Sequence, residues 1–170
     1  ILFIGGGSNI LFTKNFDGLV VHLNIKGKNY KKINDEYVMV SASSGENWND
    51  LVNWCVSSGF GGVENLSLIP GNVGGAPVQN IGAYGRELKD VLVSCKVYNW
   101  ENGTFCELKC SQCDFDYRDS IFKKNKNLLI TKVNLKLTTK NHLINSSYSG
   151  INEELKKLGI KNASIKDISI

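Results

Sequence analysis

Between Ile69 and Gly85 the chain reads Ile-Pro-Gly-Asn-Val-Gly-Gly-Ala-Pro-Val-Gln-Asn-Ile-Gly-Ala-Tyr-Gly, a stretch that neither a helix nor a sheet can absorb. It holds five glycines and both prolines of the chain, so backbone freedom and missing N–H donors break any regular ladder. Flexible linkers of this length are polar and Ser-rich. This one keeps Ile69, Val73, Val78 and Ile81, side chains that demand burial. Glycines set among apolar anchors imply close approach of backbone to a large ligand, with the Gln79 and Asn80 amides able to read the polar edge of a flat ring.

The rest of the fold has to be built around that loop. Ile1–Ile4 is a short apolar run emptying into Gly5-Gly6-Gly7-Ser8-Asn9, and a second strand is expected over 18–23. A β-rich run, Tyr37 to Ala42, precedes a helix opened by Ser44-Gly45-Glu46. Its apolar residues Trp48, Leu51, Val52 and Cys55 recur at i, i+3, i+4 and i+7, and Gly59 closes it. Strands are expected at Leu92–Asn99 and Thr104–Leu108 around the turn Glu101-Asn102-Gly103, and a third where Leu129, Thr131, Val133, Leu135 and Leu137 alternate with mostly polar neighbours. A short helix should run over 152–158 to a glycine stop at Gly159, with Ser164 capping another. The pattern predicts an α+β fold, mainly antiparallel sheet flanked by helices.

Composition narrows the function classes. With 42% hydrophobic and 21% charged residues in 170, the chain is of ordinary globular type. The net charge is +4, and 18 of the 20 basic residues are scattered lysines, not the dense, Arg-containing stripe a nucleic-acid footprint needs. No run has the apolar length to cross a bilayer, and no nucleic-acid or membrane partner is expected. Both ends read as cut, since the chain opens inside an apolar run.

Two motifs could carry chemistry besides the glycine loop. In Gly5-Gly6-Gly7-Ser8-Asn9 the glycines let backbone N–H groups converge on an anion while Ser8 and Asn9 add donors, the makings of a phosphate cradle. A plain tight connection is the alternative. A dinucleotide-binding βαβ fingerprint fails, because Ile10 stands where the last glycine belongs and a strand follows instead of a helix. Cys106, Cys110 and Cys113 have the C-x3-C-x2-C spacing of the iron–sulfur cluster in radical S-adenosylmethionine enzymes. Gln112 stands where those enzymes carry an aromatic, and the surrounding strands are antiparallel. A fourth ligand for tetrahedral zinc is lacking too, so no metal is expected. Free thiols, with Cys55 and Cys95 in the core, suit a reducing cytosol.

In order along the chain, Gly5-Gly6-Gly7-Ser8-Asn9, Gly45-Glu46-Asn47-Trp48, Glu64-Asn65-Leu66, Ile69-Pro70-Gly71, Gln79-Asn80-Ile81-Gly82-Ala83-Tyr84-Gly85 and Tyr117-Arg118-Asp119-Ser120-Ile121-Phe122-Lys123 resemble the UDP-N-acetylenolpyruvoylglucosamine reductase family. The resemblance implies an FAD-binding fold of the vanillyl-alcohol-oxidase (PCMH) type. It places the end of the first FAD-binding subdomain at 1–15, the second at 16–143, and a connection toward a truncated substrate-binding domain at 144–170. By the same resemblance Gly5, Gly6, Gly7, Ser8 and Asn9 hold the FAD pyrophosphate. Ile69, Pro70, Gly71, Gly74, Gly75, Gln79, Asn80 and Gly82 line the flavin. Tyr84 and Tyr148 contact the nucleotide substrate, and Asn80-Ile81 with the Tyr148 loop point to one subtype of the family.

The activity implied is reduction of UDP-N-acetylglucosamine enolpyruvate, with NADPH as hydride donor, in peptidoglycan precursor synthesis. Arg118 matches the family's active-site arginine, a planar, permanent cation suited to a carboxylate and to developing negative charge. A surface ion pair with Asp116 or Asp119 is the bland alternative for it. The family's proton-donating serine and late glutamate have no counterpart before Ile170, so a protein ending there is expected not to turn over substrate and to act as a flavin-binding module alone. A cytoplasmic monomer is expected.

Overall fold

The structure, a computed structural model, describes residues 1–169. Its centre is a five-stranded antiparallel sheet. The strands are β3 (Lys28–Lys32), β4 (Tyr37–Ser43), β7 (Leu92–Asn99), β8 (Thr104–Lys109) and β9 (Leu128–Thr138), in the order β3-β4-β9-β7-β8. Two small ribbons stand beside it. One pairs β1 (Leu2–Ile4) with β2 (Val20–His22) in parallel; the other is a hairpin of β5 (Gly82–Ala83) and β6 (Arg86–Glu87). Among the described residues four α-helices complete the fold: α1 (Trp48–Ser57), α2 (Ile121–Lys124), α3 (Ser149–Lys157) and α4 (Ile165–Ile168). The architecture is the α+β, mainly antiparallel one expected.

The core lies on one face of the sheet. Period-two alternation sends Val38, Val40 and Ala42 of β4, and Val133, Leu135 and Leu137 of β9, to that face, where α1 covers them with Trp48, Leu51, Val52, Cys55 and Val56. The helix opens three residues later than Ser44. Asn47 is its cap, its side chain accepting from the Asp50 amide at 3.0 Å, because Ser44 and Gly45 are held in strand-like pairing by Thr131 and Ile25. Gly59 follows the helix at φ +76°, the left-handed stop its position promised.

Two departures from simple alternation matter. Along β9 the pattern slips at Thr131: Lys132 pairs with Lys96 and Ile130 with Val97, so Thr131 is the extra residue of a bulge. Ile130 therefore turns inward in place of Leu129, and the Thr131 carbonyl is freed to accept from the Ser44 amide at 2.9 Å. Strand β3 is not signalled in the sequence because Lys-Asn-Tyr-Lys-Lys is polar; it is an edge strand whose lysines keep that edge in water. Toward the C-terminus α3 starts at Ser149, directly after Tyr148, and Ser164 caps α4 as its spacing indicated.

Candidate functional site

The glycine loop is an irregular but firmly held bed. Two short 3-10 turns, Val73–Gly75 and Pro77–Gln79, carry it past the junction of β4 and α1. Trp48 N donates to Gly71 O at 3.0 Å, Val73 N to Glu46 O at 2.9 Å and Gly74 N to Ser44 O at 2.9 Å. From the other side the Ser120 hydroxyl donates to Val78 O at 2.7 Å. The Trp48 indole, 1% exposed, donates to Leu66 O at 2.8 Å and anchors the approach to the bed.

The Gly5–Asn9 turn lies directly on this bed. Ser8 Oγ donates to Pro70 O at 3.2 Å, and the Asn9 amide donates to Gln79 Oε1 at 3.1 Å. A Cβ on Gly6 would stand 2.9 Å from Asn72 Oδ1, and one on Gly71, whose φ is +117°, 2.8 Å from Ser8 Oγ. Both glycines are needed for this approach. A cleft of about 240 Å³ runs between the two segments, lined by Gly5–Ile10, Ile69–Asn72, Gly75, Gln79 and Lys123 among others. It shares Gly5, Gly75, Val78 and Lys123 with a cavity of about 400 Å³ walled by Phe3, Trp100, Phe122 and Leu128–Ile130. Ser44 also lines this cavity, and its hydroxyl is buried without a hydrogen-bond partner. Gly75 faces the cleft with nothing within 4 Å of where a Cβ would project.

At the far end of the bed stands Arg118. Its guanidinium donates to Asn80 O at 3.4 Å and to Gly82 O, and the Arg118 carbonyl accepts from Lys123 Nζ at 2.5 Å. Neither Asp116 nor Asp119 forms an ion pair with it among the described residues; Lys124 bridges Asp114 and Asp119 instead. Half-buried, with the Tyr117 ring 5.7 Å from its guanidinium carbon, Arg118 engages two of its five donors on these carbonyls. Among the described residues six non-glycine residues have positive φ, and Asn80 (40°), Tyr84 (50°) and Arg118 (51°) are three of them. Left-handed backbone at asparagine is common, but at tyrosine and arginine each instance costs about 1–3 kcal/mol and clusters where geometry serves function.

One expectation needs correcting. The Asn80 side chain does not face the cleft: it is fully buried, its amide donating to Asp116 O at 3.3 Å and its carbonyl accepting from Lys89 N at 3.1 Å. It joins the bed to the Arg118 loop. Tyr84 and Tyr148, far apart in sequence, stack edge to face with ring centroids 5.2 Å apart. Lys123, Ser44, Phe3 and Trp100 were not singled out as site residues. Only Lys123 carried a signal, its place in the Arg118 motif.

No group of three or more metal-ligating side chains occurs among the described residues. Cys106 is exposed on β8, whereas Cys113 and Cys95 are buried, and a hydrogen bond with Cys113 together with burial pushes the Cys95 thiol far up. Burial raises Cys55 to about 12.

A glycine cradle crossing a glycine bed, with an apolar cavity at one end and a cation at the other, suits a long, flat, doubly phosphorylated ligand. The chain belongs to the FAD binding domain family, whose model matches residues 1–109. It is 49% identical over 168 residues to the UDP-N-acetylenolpyruvoylglucosamine reductase of Flavobacterium johnsoniae, covering 98% of this chain and 50% of that protein. To the reductase of the same name from Amoebophilus asiaticus it is 43% identical over 170 residues, covering 99% and 50%. The chain thus spans about half the length of the curated relatives it matches. Among solved structures, the reductase from Thermus caldophilus superposes with a TM-score of 0.66 at 24% identity, covering 95% of this chain and 56% of that one. A solvent-stable cholesterol oxidase gives a TM-score of 0.50 at 14% identity, covering 71% and 26%. These two likenesses establish the fold, which is the FAD-binding fold of the PCMH type.

Proposed function

We propose that the chain is the FAD-holding part of a cytoplasmic, monomeric, NADPH-dependent UDP-N-acetylenolpyruvoylglucosamine reductase of peptidoglycan precursor synthesis. The observation that carries this reading is the attachment of Arg118 to the carbonyls of Asn80 and Gly82, which fixes one cation at the edge of the bed. The subdomain limits at 15/16 and 143/144 belong to the same proposal, as do the roles of Tyr84 and Tyr148. No helix among the described residues is long and apolar enough to cross a membrane, and nothing in the scattered lysines suits nucleic acid.

The residues fit FAD. Gly5–Asn9 would offer backbone amides to the pyrophosphate while the Ser8 and Asn9 side chains tie the turn to Pro70 and Gln79, and Lys123, on the wall of both cavities, would meet its charge. The cavity walled by Phe3, Trp100 and Leu129 would hold the adenosine end, with the Ser44 hydroxyl available there as a hydrogen-bonding group. Ile69–Gly71, Gly74, Gly75, Gln79 and Gly82 would line the flavin. When bound, FAD supplies hydride transfer from NADPH to the enolpyruvyl group.

Arg118 binds the enolpyruvyl carboxylate through its free donors and holds the negative charge that grows on that group as the double bond is reduced. Asn80 keeps that cation in place by serving both it and the Asp116 carbonyl. Tyr84 and Tyr148 present a ring pair to the nucleotide. The proton added beside the reduced carbon comes from a group not assigned to any residue of this chain.

Purified full-length protein should be yellow, with flavin absorption, and should oxidise NADPH in step with loss of the enolpyruvyl nucleotide. Absence of flavin absorption, or turnover that survives Arg118→Ala at the wild-type rate, would sink this reading.

A further inference from the structure

The cysteines whose spacing stands out in the sequence are not equivalent in the fold. Cys106 is exposed on β8, opposite Val97. Cys110 and Cys113 instead bracket one 3-10 turn, Cys110–Gln112, closed by Cys113 N donating to Cys110 O at 3.1 Å. Side chains at i and i+3 of such a turn eclipse, and the turn keeps their Cα atoms less than about 7 Å apart, close to the span of roughly 4.4–6.8 Å that a disulfide requires. Cys110 is half-buried between exposed Lys109 and Ser111, so a small reagent reaches it, whereas Cys113 is closed to solvent in the core. A hydrogen bond with Cys95 keeps the Cys113 thiol below its ordinary value against the opposing effect of burial.

This turn is where the loop bearing Arg118 begins. The Cys113 carbonyl accepts from Ile121 N at 2.9 Å and closes the neck of that loop, within which Asp116 and Asp119 pair. From the other flank the Cys110 thiol donates to Lys89 O at 3.6 Å, Lys89 N donates to Asn80 Oδ1 at 3.1 Å, and the Asn80 carbonyl accepts from Arg118 at 3.4 Å. The Cys113 thiol donates to Lys109 O at 3.4 Å. Both thiol protons are thus committed to the frame around Arg118, and a disulfide would withdraw both.

We propose that Cys110 and Cys113 form a reversible dithiol–disulfide site, oxidised by exchange with a low-molecular-weight disulfide, whose closure slackens the frame that holds Arg118. The Cys110 thiolate attacks the small disulfide, whose S–S bond breaks and releases one thiol carrying the proton that Cys110 gave up. The Cys113 thiolate then attacks the Cys110 sulfur of the mixed disulfide, and the second small thiol leaves with the Cys113 proton. The protein dithiol loses a pair of electrons and the reagent gains it. Burial and the neighbouring Cys113 raise the Cys110 thiol, so the first step is slow; the second is intramolecular. In a reducing compartment a bridge of this kind is transient and regulatory. Its consequence for turnover rests on the reductase reading; the bridge itself does not.

The test incubates the full-length, flavin-loaded protein with glutathione disulfide and maps its peptides without reduction. A Cys110–Cys113 bridge should form and be reversed by dithiothreitol, while Cys106 carries only an open glutathione adduct. Cys113→Ser should leave an unresolved adduct on Cys110, and Cys110→Ser should form no bridge while keeping wild-type turnover before oxidation. In the bridged wild type, NADPH oxidation with the enolpyruvyl nucleotide should fall about two- to thirtyfold with flavin absorption kept, and dithiothreitol should restore it. Cys110→Ser should not show that loss. Absence of a Cys110–Cys113 bridge in the wild type, or a bridge with unchanged turnover, would overturn the proposal. A bridge in a protein whose reduced form does not reduce the nucleotide would leave the thiol site standing and remove the reductase reading.

Discussion

Gly74 and Gly75 are adjacent and chemically identical, yet the structure assigns them opposite sensitivities. A Cβ on Gly74 would lie 2.6 Å from Ser44 Cβ and 3.2 Å from both Ser44 Cα and O, inside the seam where the bed is stitched to β4. Overpacking at such a contact costs about 1–3 kcal/mol. A Cβ on Gly75 meets nothing within 4 Å, and φ there is not positive, so alanine fits the unliganded protein and lowers the entropy of its unfolded chain. That methyl projects toward the space assigned to FAD. Gly74→Ala should therefore lower the melting temperature of the cofactor-free protein by roughly 2–12 °C, at 2–4 °C per kcal/mol for a domain of this size. Gly75→Ala should leave it within about 2 °C and weaken FAD binding about 5- to 150-fold, the same 1–3 kcal/mol expressed in affinity. Differential scanning fluorimetry of cofactor-free protein and titration of FAD fluorescence read the two effects separately. Equal melting shifts for both variants, or wild-type FAD affinity in Gly75→Ala, would show that Gly75 does not face the cofactor.

Arg118→Lys keeps the charge but loses the planar fork, and should cut turnover by about 100-fold or more while flavin absorption is retained; steady-state kinetics beside a visible spectrum checks this. Ser120→Ala removes the hydroxyl that donates to the part-buried Val78 O and accepts from the buried Phe122 N, at a cost of about 1–3 kcal/mol; thermal unfolding should show it. The Gly27 amide, with Lys28 and Lys26 adding to it, holds the Glu46 carboxylate below its ordinary value of 4.5 against the opposing effect of burial. A depressed carboxylate contributes stability that is present above that ordinary value and lost as pH falls through the folded one, so Glu46→Gln should flatten the decline of stability below about pH 4.5 in acid titrations. Cys55, raised to about 12, should resist iodoacetamide in the native protein while the exposed Cys106 is alkylated, as peptide mass spectrometry would read.

Much of this architecture is legible in the sequence, where a repeating period reports a buried face. Trp48, Leu51, Val52 and Cys55 announced α1 and its inner stripe because a helix returns to the same face every 3.6 residues. Strand β9 shows the limit of that logic. Its bulge at Thr131 is set by pairing with β7 and by the Ser44 amide, both distant in sequence, so strict alternation misassigns Leu129 and Ile130. Strand β3 carries no apolar signal, since an edge strand can be stabilised by its neighbour's backbone alone. At the site the same division holds. Glycine content and order pointed to Gly5–Asn9 and the bed, but whether the Asn80 amide faces a ligand or the interior depends on its left-handed backbone and on Lys89 and Asp116, which no local pattern encodes.

The bed itself explains why an irregular segment can do what a helix or strand could not. In regular structure nearly every N–H is committed to its own ladder, so little backbone remains for a ligand along the element. From Ile69 to Gly82 the commitments are made sideways instead: Gly71, Val73 and Gly74 pair with the β4–α1 junction, Val78 with Ser120, and Asn80 and Gly82 with Arg118. Each tie also fixes a neighbouring functional group. The bond from Ser120 links the bed to the loop bearing Arg118, and the bond from Gly74 ties the bed to Ser44, which lines the cavity walled by Phe3 and Trp100. Ordering that would otherwise oppose binding is thus met on folding, and displacement of the bed by any one tie should reach the cofactor and the cation together.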